Sequence, residues 1–520
     1  MRPLLFAVLL AGTSAHAGEL TLSDAVARAL EKNADLVVER ESVQIADATV
    51  LRAEAVYEPS LRGEARLRER TDPVNSILSG APPGELAPTT RTWQTSASLV
   101  QLLPTGGTVS VFSGVNRDET DSVFALLTPA WGTSFGAEVR QPLMQNRRID
   151  PARRAIRIAR ADRSRALSTL RRIAAETTAA VERSWWTLAA ARRDAETRQS
   201  AVRVAEKQRE DTKVRIEAGT RPEAELAHTT AEVERRKGDL AVAQENVTRA
   251  ENTLRALIAR DTNDEIWSQE LVPDLDAPDA QASTPQQPAT SNQQQAPALI
   301  ATALENRPEL EELQQRLTRQ DIELESSLDR IRPQVDLVAS YNTRGLSGTR
   351  NENAIEPFGP VVIAGDLLGG LGSSLGTLAR NQFPDASLGV AFTIPIGNVA
   401  AKQDVAIARA VRRQSEATLD SARQRIAVEV RNALASLASA EQRIDAARAA
   451  RVAAETGVQA ERDRFEAGTS NTFFILTRQN ELASAQLAET VALSDYRKAQ
   501  TELARATGTL LRDRNIIIER

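Results

Sequence analysis

At 520 residues, 26% charged and only 3% aromatic, with a formal net charge of −5, the chain has neither the basic surface of a nucleic-acid binder nor the aromatic content of several small cores. It holds no cysteine, which excludes disulfides, thiolate metal sites and acylated-cysteine anchors. Its mean hydropathy is −0.34, and no stretch after the first ten residues is long and apolar enough for a transmembrane helix.

The N-terminus reads as an export signal over residues 1–17. Arg2 is the positive n-region, Leu4 to Leu10 the apolar core, and Ala15-His16-Ala17 the cleavage site. The mature chain, expected from Gly18, is then periplasmic, secreted, or a β-barrel of an outer membrane.

Residues 18–272 form a first half. Thr21-Leu22-Ser23-Asp24 opens a helix running to Val56, with Ser23 as the expected N-cap, and Pro59 stops it. Weak alternation from Ser60 to Glu69 predicts a strand. After a Pro/Gly/Ser-rich loop over residues 71–90, the runs Trp93 to Leu103 and Thr108 to Val115 flank Pro104-Thr105-Gly106-Gly107 and predict a hairpin. A loop over residues 116–133 leads to a strand from Ser134 to Met144.

Pro151 starts a helical run of about 68 residues, roughly 100 Å at 1.5 Å per residue, ending in Arg215-Ile216-Glu217-Ala218-Gly219-Thr220. Gly suits the left-handed conformation just past a helix end, and the following Arg221-Pro222 restarts a helix that returns to Arg260. Residues 273–297, rich in Pro, Gln, Ser and Asp, read as a flexible linker.

The plan then repeats over residues 298–511, before a tail at 512–520. Ala303 to Leu310 aligns with Ala29 to Leu36, and Ile331-Arg332-Pro333 with Tyr57-Glu58-Pro59, both at an offset of 274. Strands are expected at Gln334 to Thr343 and Ser387 to Ile396, around a Gly-rich loop at 345–384. A second long helix from Val399 ends in Arg464-Phe465-Glu466-Ala467-Gly468-Thr469, with Ser470 opening the return. Each half is thus helix, strands, long helix, tip, helix.

Leu419, Ala422, Ile426, Val430, Ala433, Leu437, Ala440, Ile444 and Ala447 step by three and four along the second long helix. One narrow seam buries little, so such rods need neighbours on both sides. Returning and opening helices, stacked end to end, match the long ones in length, which would gather the strands at the end opposite the tips. Six strands are too few for a barrel within one chain, and an open sheet edge in a bilayer leaves backbone groups unsatisfied. Closure by several copies is the physical solution; a soluble periplasmic coiled-coil scaffold or pump adaptor is the rival reading.

Taken in order, these pieces resemble the TolC family of outer-membrane efflux proteins. The marks are Leu22-Ser23-Asp24-Ala25-Val26, Gln141-Pro142-Leu143, Trp186-Thr187-Leu188, Arg307-Pro308-Glu309-Leu310, the two Glu-Ala-Gly-Thr tips, and Leu503 to Leu510. The resemblance implies a homotrimer with an outer-membrane β-barrel continuous with a long periplasmic α-helical barrel, embedded in outer-membrane lipid. It implies an exit duct of a tripartite efflux pump or type I secretion system.

Partners would be a periplasmic adaptor (membrane fusion) protein, docking at Ala218, Gly219, Thr220, Arg221, Ala467, Gly468, Thr469 and Ser470, and an inner-membrane pump or ABC exporter. Pro59, Pro142, Pro333 and Pro395 would mark strand–helix junctions. Family members commonly supply four strands per subunit and twelve per trimer; the Leu103 to Gly107 hairpin makes six, so the wall has eighteen or the extra hairpin lines or plugs the pore.

At the entrance, the positions that carry acidic gate residues in the best-known member fall at Phe474 and Thr477, beside Phe473, and at Glu225 and His228 in the first half. A Phe ring would constrict by dewetting and packing. One mature histidine and no cysteine leave no usual zinc or nucleophile–base arrangement, and no acid pair stands out. No catalytic residue, cofactor, metal or nucleic-acid partner is expected. Trp185-Trp186 is expected to pack between subunits.

Overall fold

The computed structural model describes residues 6–8, 20–73, 80–220, 222–273, 292–355 and 359–518. The cleavage site, Arg221 and most of the expected linker lie outside these residues. The chain divides into two compact units, residues 1–46, 162–316 and 415–520, and residues 47–161 and 317–414.

The first unit is helical. It contains α1 (Leu22–Lys32), the start of α2 (Ala34–Glu54), most of α3 (Pro151–Glu217), α4 (Ala224–Ile258) and α5 (Asn292–Asn306). The start of α6 (Pro308–Arg330), most of α8 (Val399–Glu466), α9 (Thr472–Ala506) and α10 (Leu510–Asp513) complete it. Short strands β1 (Phe6–Val8) and β8 (Ile516–Ile518) pair antiparallel, so the expected C-terminal tail holds the end of α10 and a strand.

Three details of the sequence reading change here. The N-cap of α1 is Thr21, not Ser23. Thr21 Oγ1 accepts from Asp24 N at 3.2 Å while Asp24 Oδ2 accepts from Thr21 N at 3.2 Å, a reciprocal box that a cap at Ser23 could not make. The opening helix is broken at Asn33. The expected linker is already helical from Asn292, because its Gln and Ala residues favour helix enough to carry Pro297 in the second turn.

The break at Asn33 has a purpose in the packing. Asn33 Nδ2 donates to the carbonyl of Leu257, in the last turn of α4, at 3.1 Å. Arg307, between α5 and α6, likewise donates to the carbonyls of Arg505 and Ala506 at the end of α9, and its guanidinium holds Glu429 of α8 at 2.9 Å. Each returning helix therefore ends on a break in an opening helix. Its orphan terminal carbonyls, which no residue of their own helix can bond, find donors there. Gly508 is required at the second meeting: its φ is +72°, and a Cβ would lie 3.0 Å from the Asn306 carbonyl carbon.

Trp185 and Trp186 are buried with Leu30, Leu36, Leu170, Leu254 and Ile258, so both pack within one chain rather than between subunits. The reason is position. The two sit on α3 where α1, α4 and α9 converge, with Ser494 Oγ bonded to the Trp186 carbonyl at 3.0 Å. On α8, Leu419, Ala422, Ile426, Val430, Ala433, Ala440 and Ile444 are buried in a single stripe, while Val428 and Val452 on other sides are more than half exposed. Ion pairs set the register of neighbours: Arg172–Glu312, Arg183–Glu502, Arg192–Glu251 and Arg451–Glu489 each link two helices at 2.6–2.9 Å.

The second unit is built on one antiparallel sheet. Its strands are β2 (Ser60–Thr71), β3 (Thr89–Leu102), β4 (Thr108–Thr120), β5 (Leu127–Pro142), β6 (Gln334–Arg350) and β7 (Phe383–Thr393), paired in that order. The β3–β4 hairpin is part of the sheet, not a separate plug. Strands run further than the alternation predicts. The expected loop over residues 116–133 contracts to 121–126, and β6 continues to Arg350 inside the expected Gly-rich loop, which also forms helix α7 (Leu371–Ala379). Cross-strand pairing, such as Arg117 with Trp131, extends regularity past the point where side-chain alternation fades.

One ion pair of the helical unit carries a pH signature. The Asp264 carboxylate accepts the N–H groups of Arg260 (2.9 Å) and Ile266 (3.1 Å) and pairs with Arg28, which holds its pKa down to about 2. Because that is below the unfolded value of about 3.9, its contribution is complete above pH ~4 and is lost as pH falls through about 2. Asp264→Asn should lower the thermal midpoint at neutral pH, with a deficit that shrinks on acidification toward pH 2. A deficit independent of pH would assign the effect to shape rather than charge.

Candidate functional site: hairpin tips and a two-faced sheet

The two tips are closed by the same backbone geometry. In the first, Gly219 N donates to Ile216 O and Thr220 N to Arg215 O, both at 2.9 Å. In the second, Gly468 N donates to Phe465 O at 3.1 Å and Thr469 N to Arg464 O at 2.9 Å. This is the Schellman arrangement, which requires a left-handed residue just past the helix; Gly219 and Gly468 have φ of +75° and +74°. The threonines add a side-chain bond to the same carbonyls, at 2.8 and 3.0 Å. Glu-Ala-Gly-Thr is therefore a helix terminator with a built-in hydroxyl clamp.

Ala218, Gly219, Thr220, Ala467, Gly468 and Thr469 are exposed, and Ser470 is half-buried with its hydroxyl on Glu461. The tips touch: the Arg215 guanidinium lies 5.0 Å from the Phe465 ring centroid. Of the gate residues expected from sequence, His228 and Phe473 come together, with ring centroids 6.5 Å apart, and Phe473 meets Phe474 edge to face at 5.7 Å. Phe473 and Phe474 are 57% and 51% exposed, so neither is ordinary packing within the chain. Glu225 and Thr477 are half-buried. Thr477 Oγ1 bonds back to the Phe473 carbonyl at 2.9 Å, which spends its hydroxyl on its own helix.

Pro59 and Pro333 directly precede β2 and β6, Pro142 ends β5, and Pro395 follows β7 shortly before α8. A polar knot sits where β5 gives way to α3. Asp150 Oδ1 accepts from Arg153 N at 2.8 Å and Asp329 Oδ2 from Asn146 N at 2.5 Å. Gly106 of the β3–β4 turn lies against it, where a Cβ would meet the Asn146 carbonyl at 2.7 Å.

Residues directly opposite in an antiparallel sheet share a face, so the registers assign both faces. One carries Leu61, Ala65 and Leu67; Trp93, Ala97 and Leu99; Val109, Val111 and Val115; Trp131, Phe135, Ala137 and Val139; Leu337, Ala339 and Tyr341; and Leu388, Val390 and Phe392. From Trp131 to Val139 this band runs about 27 Å along the strand, or ~20 Å if tilted by the roughly 40° of outer-membrane barrels. The Trp93–Trp131 row of the same face already holds Arg117, and the row beyond it carries Glu69, Arg91 and Glu119.

The other face is polar. Arg62, Glu64, Arg66, Arg68 and Arg70 face it on β2, opposite Ser98, Ser96, Gln94, Thr92 and Thr90. Arg66 pairs with Glu64 at 2.6 Å and Arg140 with Asp336 at 3.5 Å, while Arg62 and Arg68 have no acidic partner among the described residues. The sequence reading registered the weak alternation but missed this arginine row. The signal was present: every second residue of β2 from Arg62 to Arg70 is charged.

The edge strands differ from the inner ones. Strands β2 and β7, of 12 and 11 residues, are exposed throughout, whereas β3 to β6 have 13 to 17 residues. Both outer edges present unpaired backbone groups at matched length.

Residues 299–509 match the family model described as outer membrane efflux protein. No curated protein sequence matches the chain. Among solved structures, a membrane protein of Pseudomonas aeruginosa is similar at 16% identity, with 96% of this chain and 95% of that one covered and a TM-score of 0.63. The MtrE outer membrane channel of Neisseria gonorrhoeae, in its open state, is 16% identical over 97% of this chain and 95% of its own, with a TM-score of 0.62. The CmeC outer membrane channel of Campylobacter jejuni is 15% identical over 97% and 91%, with a TM-score of 0.61. The chain thus carries a match to the outer membrane efflux protein model over residues 299–509 and shares the fold of these outer-membrane channels over nearly its whole length.

Proposed function

We propose that this protein is the outer-membrane exit duct of a tripartite efflux pump, closed by three copies of the chain. The observation that carries the reading is the sheet: one face apolar, one polar, and two exposed edges of matched length. In a bilayer the apolar face meets lipid, the polar face meets water, and the edges must pair. Joining β7 of one copy to β2 of the next satisfies both edges. Three copies of a six-stranded sheet give a wall of eighteen strands, about 1.5 times the diameter of a twelve-stranded one, since diameter grows roughly linearly with strand number.

The helical halves, read as a duplication, would close in the same way into a periplasmic α-barrel. The single buried stripe of α8 and its exposed Val428 and Val452 supply faces for a neighbouring copy. The six Gly-Thr tips form the periplasmic mouth, where an adaptor protein docks and beyond which an inner-membrane pump or type I secretion exporter delivers substrate. The exposed Phe473–Phe474 pair, two per chain and six per trimer, constricts the mouth by an apolar ring. The chain itself performs no chemistry on what it passes.

Edge-to-edge closure is tested with Ala65→Cys and Leu388→Cys together in the otherwise cysteine-free chain. Within one sheet β2 and β7 are separated by five strand spacings, roughly 24 Å, so a short thiol cross-linker can join only different copies. A ladder ending at three linked chains is expected from outer-membrane fractions; a soluble, unlinked chain released by osmotic shock overturns the channel reading.

Gly219→Val and Gly468→Val meet open space, yet each forces a β-branched residue into the left-handed region at about 1–2 kcal/mol. Each should weaken cross-linking to the adaptor, or channel opening, while three-chain assembly persists. Unchanged transport and cross-linking would remove the tips from the docking role. Phe474→Ala should raise single-channel conductance in planar bilayers; equal conductance in variant and parent would take the constriction elsewhere.

A further inference from the structure

We infer that α7, together with the segment leading into it, is a lipid-immersed element seated at the outer-leaflet boundary of the barrel. The inference rests on the channel reading, because that reading puts lipid on the apolar face of the sheet.

Three observations fix where α7 sits. Strand β7 pairs with β6 only as far as Arg344, so the last residues of β6 lack a strand on that side. Helix α7 takes the place. Thr377 Oγ1 accepts from Leu346 N at 3.1 Å, Gly369 N donates to Gly348 O at 3.0 Å, and Ser347 Oγ bonds to the Gly370 carbonyl at 2.8 Å. The helix also lies over a defined face. Thr133 Oγ1 bonds to the Ser374 carbonyl at 3.1 Å, and a Cβ on Gly345 would lie 2.0 Å from that oxygen. Thr133, Gly345 and Ser347 share the face of Trp131 and Phe135, which is the apolar one. Finally, Ser347 stands opposite Trp131, at the level where the apolar band gives way to charge. Aromatic girdles of membrane barrels occupy that level.

The polarity of α7 is inverted relative to a water-facing helix. Its buried side carries Ser374 and Thr377, both at 0% exposure and hydrogen-bonded into the sheet. The side turned away carries Leu375, 45% exposed, with Gly372, Gly376 and Ala379 around it and Leu371 and Leu378 at its flanks. No charged residue occurs from Leu367 to Ala379, and the Asp366–Arg380 pair (3.6 Å) closes the stretch at its base. Val362, upstream, is 92% exposed. A helix with its hydroxyls inward and its leucines outward gains by burying the leucines in hydrocarbon, and the nearest hydrocarbon is the lipid already against the sheet. The occupant is therefore acyl chain, continuous with the lipid around the barrel.

The test uses full-length protein in liposomes, spin-labelled at single introduced cysteines. Leu388→Cys, mid-band on the apolar face, and Asn353→Cys, in the exposed β6–β7 connection, are the reference sites. A label at Leu375→Cys should collide several-fold more with oxygen than with a water-soluble nickel complex, as at Leu388, while Asn353 shows the reverse. Leu371→Cys provides a second label if the first disturbs assembly. An Asn353-like response at Leu375 overturns the inference, and shielding from both reagents overturns it in favour of contact with a neighbouring copy. A water-exposed response at Leu388 itself would instead overturn the channel reading on which the inference stands.

Discussion

The backbone of an edge strand sets the terms for this molecule. Strands β2 and β7 each present a row of N–H and C=O groups with nothing beside them. In water such a row invites aggregation, and in hydrocarbon each unmet group costs several kcal/mol. The sheet cannot curl shut on its own, because six strands are fewer than the eight of the smallest membrane barrels. Closure by further copies answers the edge, and a cyclic arrangement is the one that leaves no edge anywhere. On the proposed reading, the helical half inherits this symmetry: a rod with one buried stripe and apolar residues left outside it is incomplete alone and complete in a ring.

Within the chain, the helices meet through terminal groups as much as through hydrophobic area. The ends of α4 and α9 would expose carbonyls in a protein with little core to spare. Asn33 and Arg307 take those carbonyls, and they can do so because each interrupts its own helix at that level. Alanine-lined seams keep the rods close but bury modest area per residue. Specific register then falls to charge ladders such as Arg172–Glu312 and Arg183–Glu502. Partly exposed pairs of this kind contribute little stability each, but a one-turn slip would break them together.

Much of this was legible in the sequence because helices and turns are local. The Gly-Thr tips announce themselves by a residue that only a left-handed position wants. The two long helices and the six strands follow from period and punctuation. What was not legible depends on contacts far along the chain. The break at Asn33 has no Pro or Gly; the Asn33 side chain accepts from Asp35 N at the start of α2 and donates to Leu257 O, more than two hundred residues away. The ends of β4 to β6 are set by pairing across strands rather than by alternation. Helix α7 lay hidden in a Gly-rich loop because its Ser and Thr residues look solvent-exposed until the sheet beneath them is known. Trp185 and Trp186 resembled interface residues because the sequence cannot say that three other helices converge on them.

The two tips, alike in backbone, part company one turn later. After the first come Glu225 and His228; after the second, Phe473 and Phe474. The chain nevertheless brings the two sets together, with His228 against Phe473 and Arg215 over Phe465. Two hairpins that share a terminator can therefore differ in what the terminator displays, since the Schellman closure uses only main-chain atoms and one hydroxyl. In a ring of three copies the mouth would alternate a charged and titratable tip with an aromatic one. On the proposed reading, the apolar constriction of one kind of tip would be braced or released by polar contacts from the other, without either altering the turn that holds both in place.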